Sequence, residues 1–170
     1  MQGFQSIQIK KEEEIVNSLM PMLNLKLSSP YPQTKVELYE GLHGMKSILL
    51  GIEQELNARH EWVAMGIRSG KKEIFNNLLA NFHKHRADKN VECRMIFTDK
   101  GSDFYKTLGK MRKTEIRVLR QFTPAGIAVY EDKTIIFYYG EKPSFILITN
   151  AGVAQSFREF FNGLWKLAKK

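Results

Sequence analysis

Residues 124–140, PAGIAVYEDKTIIFYYG, read as two apolar strands joined at Glu131-Asp132-Lys133. Ile127 and Val129 alternate before the charged trio and Ile135 and Phe137 after it, the period-two pattern of strands buried on one face or both. The trio supplies a polar turn. Nowhere in the stretch does a nucleophile stand beside a base, so the hairpin carries little chemistry of its own.

Upstream of this hairpin, helix and strand signals alternate. KVELY reads as a strand, and HGMKSILLGIEQEL sets Met45, Ile48, Leu49, Ile52 and Leu56 on one helical face. EWVAMGI is a second strand, and KKEIFNNLLANFHKHRA repeats the helical pattern through Ile74, Phe75, Leu78, Leu79 and Phe82. VECRMIF is a third strand, followed by a short helix over SDFYKTLGKMR with Ser102 as its N-cap. From TEIRVL onward the rhythm changes to consecutive strands ending in SFILIT. A last helix is capped at Asn150, with Val153, Phe157, Phe160, Phe161, Leu164 and Trp165 as its apolar stripe. The expected fold class is α/β: a sandwich with a mixed β-sheet flanked by helices, preceded by a short N-terminal helical segment.

That segment, residues 1–34, is read apart from the domain at 35–170. Ile15, Leu19 and Met22 fall at helical spacing, but Pro21 removes a backbone donor and kinks or ends the helix near Met20. SSPYPQ then disfavours both helix and strand and reads as a linker. The length and the 43% hydrophobic content allow one good core. The single cysteine, Cys93, leaves no partner for an internal disulfide and fits a buried thiol in a reducing compartment, so a cytoplasmic protein is expected. No stretch approaches the roughly 20 apolar residues of a membrane span, and no secretory leader is read at the start.

The net charge of +8 favours polyanions, yet the basic residues are scattered over many segments. Lys71, Lys72, Lys84, Arg86, Lys110, Arg112 and Lys113 all fall in or beside helices, where the expected role is a solvated face. Lys166, Lys169 and Lys170 complement the negative end of the last helix.

In open α/β sheets, ligands sit beyond the carboxyl ends of the strands, which directs attention to YEGLHG, GIRSG, FTDKGS and QFTPAG. Tyr39, Glu40, Gly41 and His43 in the first of these could present helix-start amides and an acceptor to an anion or a hydroxyl; the alternative is a tight strand-to-helix turn with Tyr39 packed under the sheet. Arg68 in the second could grip a carboxylate or phosphate, or could be an ordinary loop arginine. His83 and His85 stand two apart on a helix, facing different ways, so no metal is expected. His43 and His60 are expected on the surface. No Gly-x-Ser-x-Gly elbow and no Cys-x-x-Cys occurs, and no cofactor is implied.

Two phrases are distinctive in combination: the pattern YEG..G.KS at residues 39–47 and N..VA.SF...F..LW at 150–165. With the order of elements, they make residues 35–170 resemble the effector half of archaeal TrmB-like transcriptional regulators, a phospholipase D-like domain. The resemblance implies a homodimer, since in the catalytic relatives two such halves meet across the pocket, and a helical linker dimerises the regulators. The Ile15, Leu19, Met22 face would add to that contact. DNA would be read through a helix-turn-helix preceding the domain; residues before 35 leave no room for one, so the chain is expected to be either an excised effector domain or a regulator without its own reader.

Catalytic phospholipase D relatives carry His-x-Lys-x-x-x-x-Asp around this hairpin. Aligning its acid on Glu131 sets Pro124 at the histidine and Gly126 at the lysine, and neither supplies a lone pair or a charge. The resemblance therefore implies a non-catalytic, ligand-sensing and dimerising domain, with Thr123 and Pro124 at the lost catalytic position joining Tyr39, Glu40, Gly41, His43 and Arg68 as ligand contacts. The sugar-contacting region of sugar-responsive members lies beyond the part matched, so a small-molecule effector is expected without its identity. Two alternatives stand beside this: a phosphodiesterase or nuclease using residues such as His43 with Glu40, and direct nucleic-acid binding through the basic helices.

Overall fold

A computed structural model describes residues 33–68, 71–120 and 125–170. Ile15, Leu19 and Met22 of the expected helical segment, and Thr123 and Pro124 of the expected site, lie outside the described residues.

The described elements run β1 (Lys35–Glu40), α1 (Gly41–Glu55), β2 (Glu61–Ile67), α2 (Glu73–Asp88), β3 (Glu92–Phe97), α3 (Asp103–Gly109), β4 (Thr114–Val118), β5 (Gly126–Tyr130), β6 (Lys133–Tyr138), β7 (Ser144–Thr149) and α4 (Ala151–Leu167). The strands form one seven-stranded sheet in the order β1-β7-β6-β5-β2-β3-β4. β2, β3 and β4 pair in parallel, as strand–helix–strand crossovers require; β5, β6 and β7 pair antiparallel through short returns, β5 lies antiparallel to β2, and β1 joins the far edge antiparallel to β7. This mixed sheet flanked by helices is the α/β fold expected from the sequence.

The apolar periods explain the layers. One face of the sheet packs Trp62, Met95, Tyr130 and Phe145 against Ile48 and Ile52 of α1, Phe75, Leu79 and Phe82 of α2, and Phe104 and Leu108 of α3. The other face packs Val63, Met65, Ile96 and Val129 against Phe161, Leu164 and Trp165 of α4. Each fully buried side chain of this size contributes about 2 kcal/mol, so the two-sided burial of β2, β3 and β5 anchors the sheet's centre. Both predicted caps form: Ser102 Oγ accepts from the Tyr105 amide at 3.0 Å, and Asn150 Oδ1 accepts from the Val153 amide at 3.0 Å. The hairpin turn is two residues, Glu131 and Asp132, with Glu131 at φ +52° and Lys133 already in β6. No helix among the described residues is long and apolar enough to cross a membrane.

Three sequence expectations are corrected. Ile74 and Phe160 are 53% and 47% exposed, so the buried stripes of α2 and α4 are narrower than their apolar pattern. Arg86 is no surface cation: it is wholly buried and donates to the carbonyls of Val91 and Lys113 and to the Thr114 hydroxyl. The Lys71 ammonium, too, is turned inward. Cys93 is buried as expected, and burial pushes its thiol up to about 12.

Candidate functional site

Strand directions bring the carboxyl ends of β1, β2, β3, β4 and β6 to one edge of the sheet, with the amino ends of β5 and β7 between them. At this edge the register of β2 against β3 shifts between Ala64 and Ile67, and Gly66 takes φ +69°. A glycine inside a strand pattern marks such a bulge, since it adopts positive φ without a Cβ penalty. Beside it a cavity of about 610 Å³ opens between the sheet and helices α2 and α3. Its volume falls in the range of small-molecule sites.

At the mouth, the Lys71 Nζ lies 4.6 Å from the centre of the Phe104 ring and 5.6 Å from that of Tyr139. It donates to the Arg68 carbonyl. Burial lowers its pKa from 10.5 to about 8, against the field of Asp99, which raises it. Arg68, Asp99 and Tyr139 share the lining with it. Burial also pushes the Tyr139 phenol upward. The walls are apolar: Ala64, Leu79, Met95, Leu108 and Phe137.

Trp62 and His83 stand at the inner end, their rings edge to face with centroids 5.7 Å apart. His83 Nδ1 accepts from Arg86 Nε at 3.2 Å. Burial, and secondarily the Arg86 charge, holds the imidazole well below its ordinary pKa. The ring is therefore neutral with its proton on Nε2. The Trp62 Nε1–H is buried and has no hydrogen-bond partner among the described residues.

Of the expected site residues, Arg68 lines this cavity, and so does Gly126, the position of the lost lysine. Tyr39, Glu40, Gly41 and His43 share the same edge of the sheet, but β7, β6 and β5 stand between β1 and β2. None of the four lines the cavity. Local packing accounts for them: the Gly41 amide donates to the Pro143 carbonyl at 2.8 Å, the Tyr39 hydroxyl donates to Glu37 at 3.3 Å, and Tyr39 packs against the core. A Cβ on Gly44 would come within 2.9 Å of the Tyr39 Cβ, so the GLHG turn is tight because strand and helix touch there. His43 and His60 are exposed, and His85 pairs with Glu53 at 2.6 Å on a different side of α2 from His83. Glu131, aligned with the turn acid, lies in the hairpin turn at the other end of β5 from Gly126 and meets His60 Nε2 at 3.3 Å.

Sequence reasoning missed Lys71, Asp99, Tyr139, Trp62 and His83. Gly66 within a strand pattern was the available signal for the bulge. The inward turn of Lys71 had none, because a lysine at a helix start reads identically whether its head meets water or a ring.

No family model and no curated protein matches the chain. Among solved structures it is similar to TrmBL2, an archaeal chromatin protein whose structure shows a novel mode of DNA binding, with TM-score 0.55 and 17% identity over 99% of this chain and 66% of that one. It is also similar to NucT from Helicobacter pylori, with TM-score 0.61 and 8% identity over 81% of this chain and 99% of that one. This chain thus spans just under two thirds of TrmBL2, and at these identities the likeness is one of fold.

Proposed function

We propose that the chain is the non-catalytic, ligand-sensing and dimerising domain of a TrmB-like transcriptional regulator, residues 35–170 forming the sensor and residues 1–34 a segment that helps dimerise it. The observation that carries this reading is Gly126 on the wall of the cavity. Phosphodiester transfer in a phospholipase D-like nuclease needs an imidazole to attack phosphorus and a cation to hold the phosphoryl oxygens. Pro124 and Gly126 stand at those two positions of the aligned motif. A Cβ on Gly126 would meet Phe137 Cβ at 3.7 Å, the Gly66 carbonyl at 3.8 Å and the Met65 carbonyl at 4.0 Å, ordinary contact distances. Space does not exclude a side chain there, and its absence widens the cavity for a ligand. His83 is a poor substitute nucleophile, since Nδ1 is engaged by Arg86 and Nε2 carries the proton.

Apolar exposure supports the dimer. Val36 and Leu38 on the edge strand β1 are 62% and 65% exposed, beyond the cover of α4. The regulator would work in the cytoplasm, bind a small-molecule effector and meet DNA through a separate reader. The test pairs mass in solution at several concentrations with release of nitrophenolate from bis(4-nitrophenyl) phosphate. A dimer with no release above buffer is expected. A strict monomer contradicts the dimer, and release abolished by His43→Ala or His83→Ala contradicts the loss of catalysis.

The TrmBL2 likeness over 99% of the chain favours a second reading, direct contact with DNA. Exposed Lys84, Lys106 and Lys110 cluster between α2 and α3 and would carry it. That reading expects duplex affinity to fall steeply between 50 and 200 mM salt, by roughly tenfold or more for a few phosphate contacts. A flat salt response removes it.

A further inference from the structure

The cavity at the carboxyl edge has two polar ends and an apolar middle. At the mouth, Lys71 is cradled by the faces of Phe104 and Tyr139 and by the Arg68 carbonyl, and its only carboxylate neighbour among the groups that shift it is Asp99. Lys71, Arg68 and Asp99 at this rim give two cations and one anion, a local charge of +1. Leu79, Met95 and Phe137 then line the passage. At the inner end the Trp62 indole N–H is buried without a partner among the described residues. About nine in ten buried polar groups in folded proteins are satisfied, so an orphan donor on a residue that lines the cavity marks a place for an acceptor that no described residue supplies. The neutral His83, with Nε2–H, is a second donor on the same wall.

We propose that this cavity binds a small amphipathic carboxylate, its anionic head at Lys71, its aromatic or branched apolar body between the sheet and helices α2 and α3, and an acceptor atom at its far end taking the Trp62 N–H. The inference rests on reading the chain as a sensor and names what it senses. A monoanion matches the rim's single net charge, and removal of water from around the head strengthens the pairing. The body buries apolar area against residues that already exclude water.

Protonation of Lys71 is linked to binding. An anion at Nζ favours the charged form, so affinity should be highest below the lysine's pKa of about 8 and fall as pH rises through it. The other charged or titratable groups around the cavity are Arg68 in the loop after β2, Asp99 between β3 and α3, Tyr139 after β6 and His83 on α2. Burial pushes the Tyr139 phenol above this window, and His83 stays neutral throughout it.

The experiment titrates the whole chain calorimetrically with 4-hydroxyphenylacetate, indole-3-acetate and octanoate, each beside its neutral amide, with phenyl phosphate as a further arm. At least one acid should bind, at least tenfold more tightly than its amide and than phenyl phosphate. That preference should disappear in Lys71→Met, which keeps the stem over Phe104. Trp62→Phe should weaken the same acid threefold or more; if that variant misfolds, the pH series supplies the second check, with affinity falling about tenfold per unit above pH 8 to 9. No binding by any acid, equal binding of acid and amide, or a preference unchanged in Lys71→Met would overturn the proposal while leaving a non-catalytic sensor intact. Tighter binding of phenyl phosphate would overturn the carboxylate assignment, and its hydrolysis would overturn the sensor reading itself.

Discussion

Arg86 is a buried guanidinium that donates to two backbone carbonyls as well as to the Thr114 hydroxyl and His83 Nδ1. Its Nη1 donates to the carbonyls of Val91, at the threshold of β3, and of Lys113, at the threshold of β4, the latter at 2.9 Å. One side chain on α2 thereby ties together the starts of two neighbouring parallel strands. Burial lowers its pKa, opposed by the field of Cys93 and Glu92, but an arginine remains charged at any ordinary pH. Replacing it with methionine keeps most of the volume and takes the guanidinium donors from the Val91 carbonyl and His83 Nδ1, while the Lys113 carbonyl keeps only the Cys93 amide at 2.8 Å. Arg86→Met should therefore cost about 3 kcal/mol, read as a lower urea midpoint at unchanged slope. A loss below about 0.5 kcal/mol would show that the carbonyls find other partners.

At the scale of elements, much of the molecule is legible in the sequence, because strand and helix periods are local. EWVAMGI and SFILIT match β2 and β7 residue for residue, and both predicted caps are made by the residues named for them. What local pattern does not carry is the order of strands. β1 and β2 are adjacent in sequence but separated in the sheet by three strands, so two loops that look like neighbours line different ground. That is why the Tyr39–His43 loop and Arg68, grouped on the rule that ligands sit beyond strand ends, do not meet at the cavity. The rule points to the edge at which the cavity opens, and Arg68 and Gly126 lie on its wall. The hairpin itself is more buried than alternation implies: Ala128 and Tyr130 face α1 to α3 while Val129 faces α4.

For the molecule as a whole, net charge overstates what is offered to a polyanion. Arg94 is held by Glu61 and lies 5.1 Å and 5.4 Å from the rings of Phe161 and Trp165; Arg117 lies 4.4 Å from the Trp165 ring. With Arg86 and Lys71, these cations are engaged in the structure, each stacked or buried cation stabilising the packing and not a distant partner. The charge that matters to the proposed function is the local one at the cavity mouth.

The indole N–H signals of the two tryptophans, Trp62 at the cavity and Trp165 on α4, separate binding from reaction most directly. Followed by nitrogen-15 NMR during titration with the tightest acid of the series, the Trp62 signal should shift saturably, that of Trp165 should stay in place, and the ligand should be recovered unchanged. A Trp62 signal that never moves, or a ligand returned cleaved, would contradict a cavity built to hold a molecule and let it go intact.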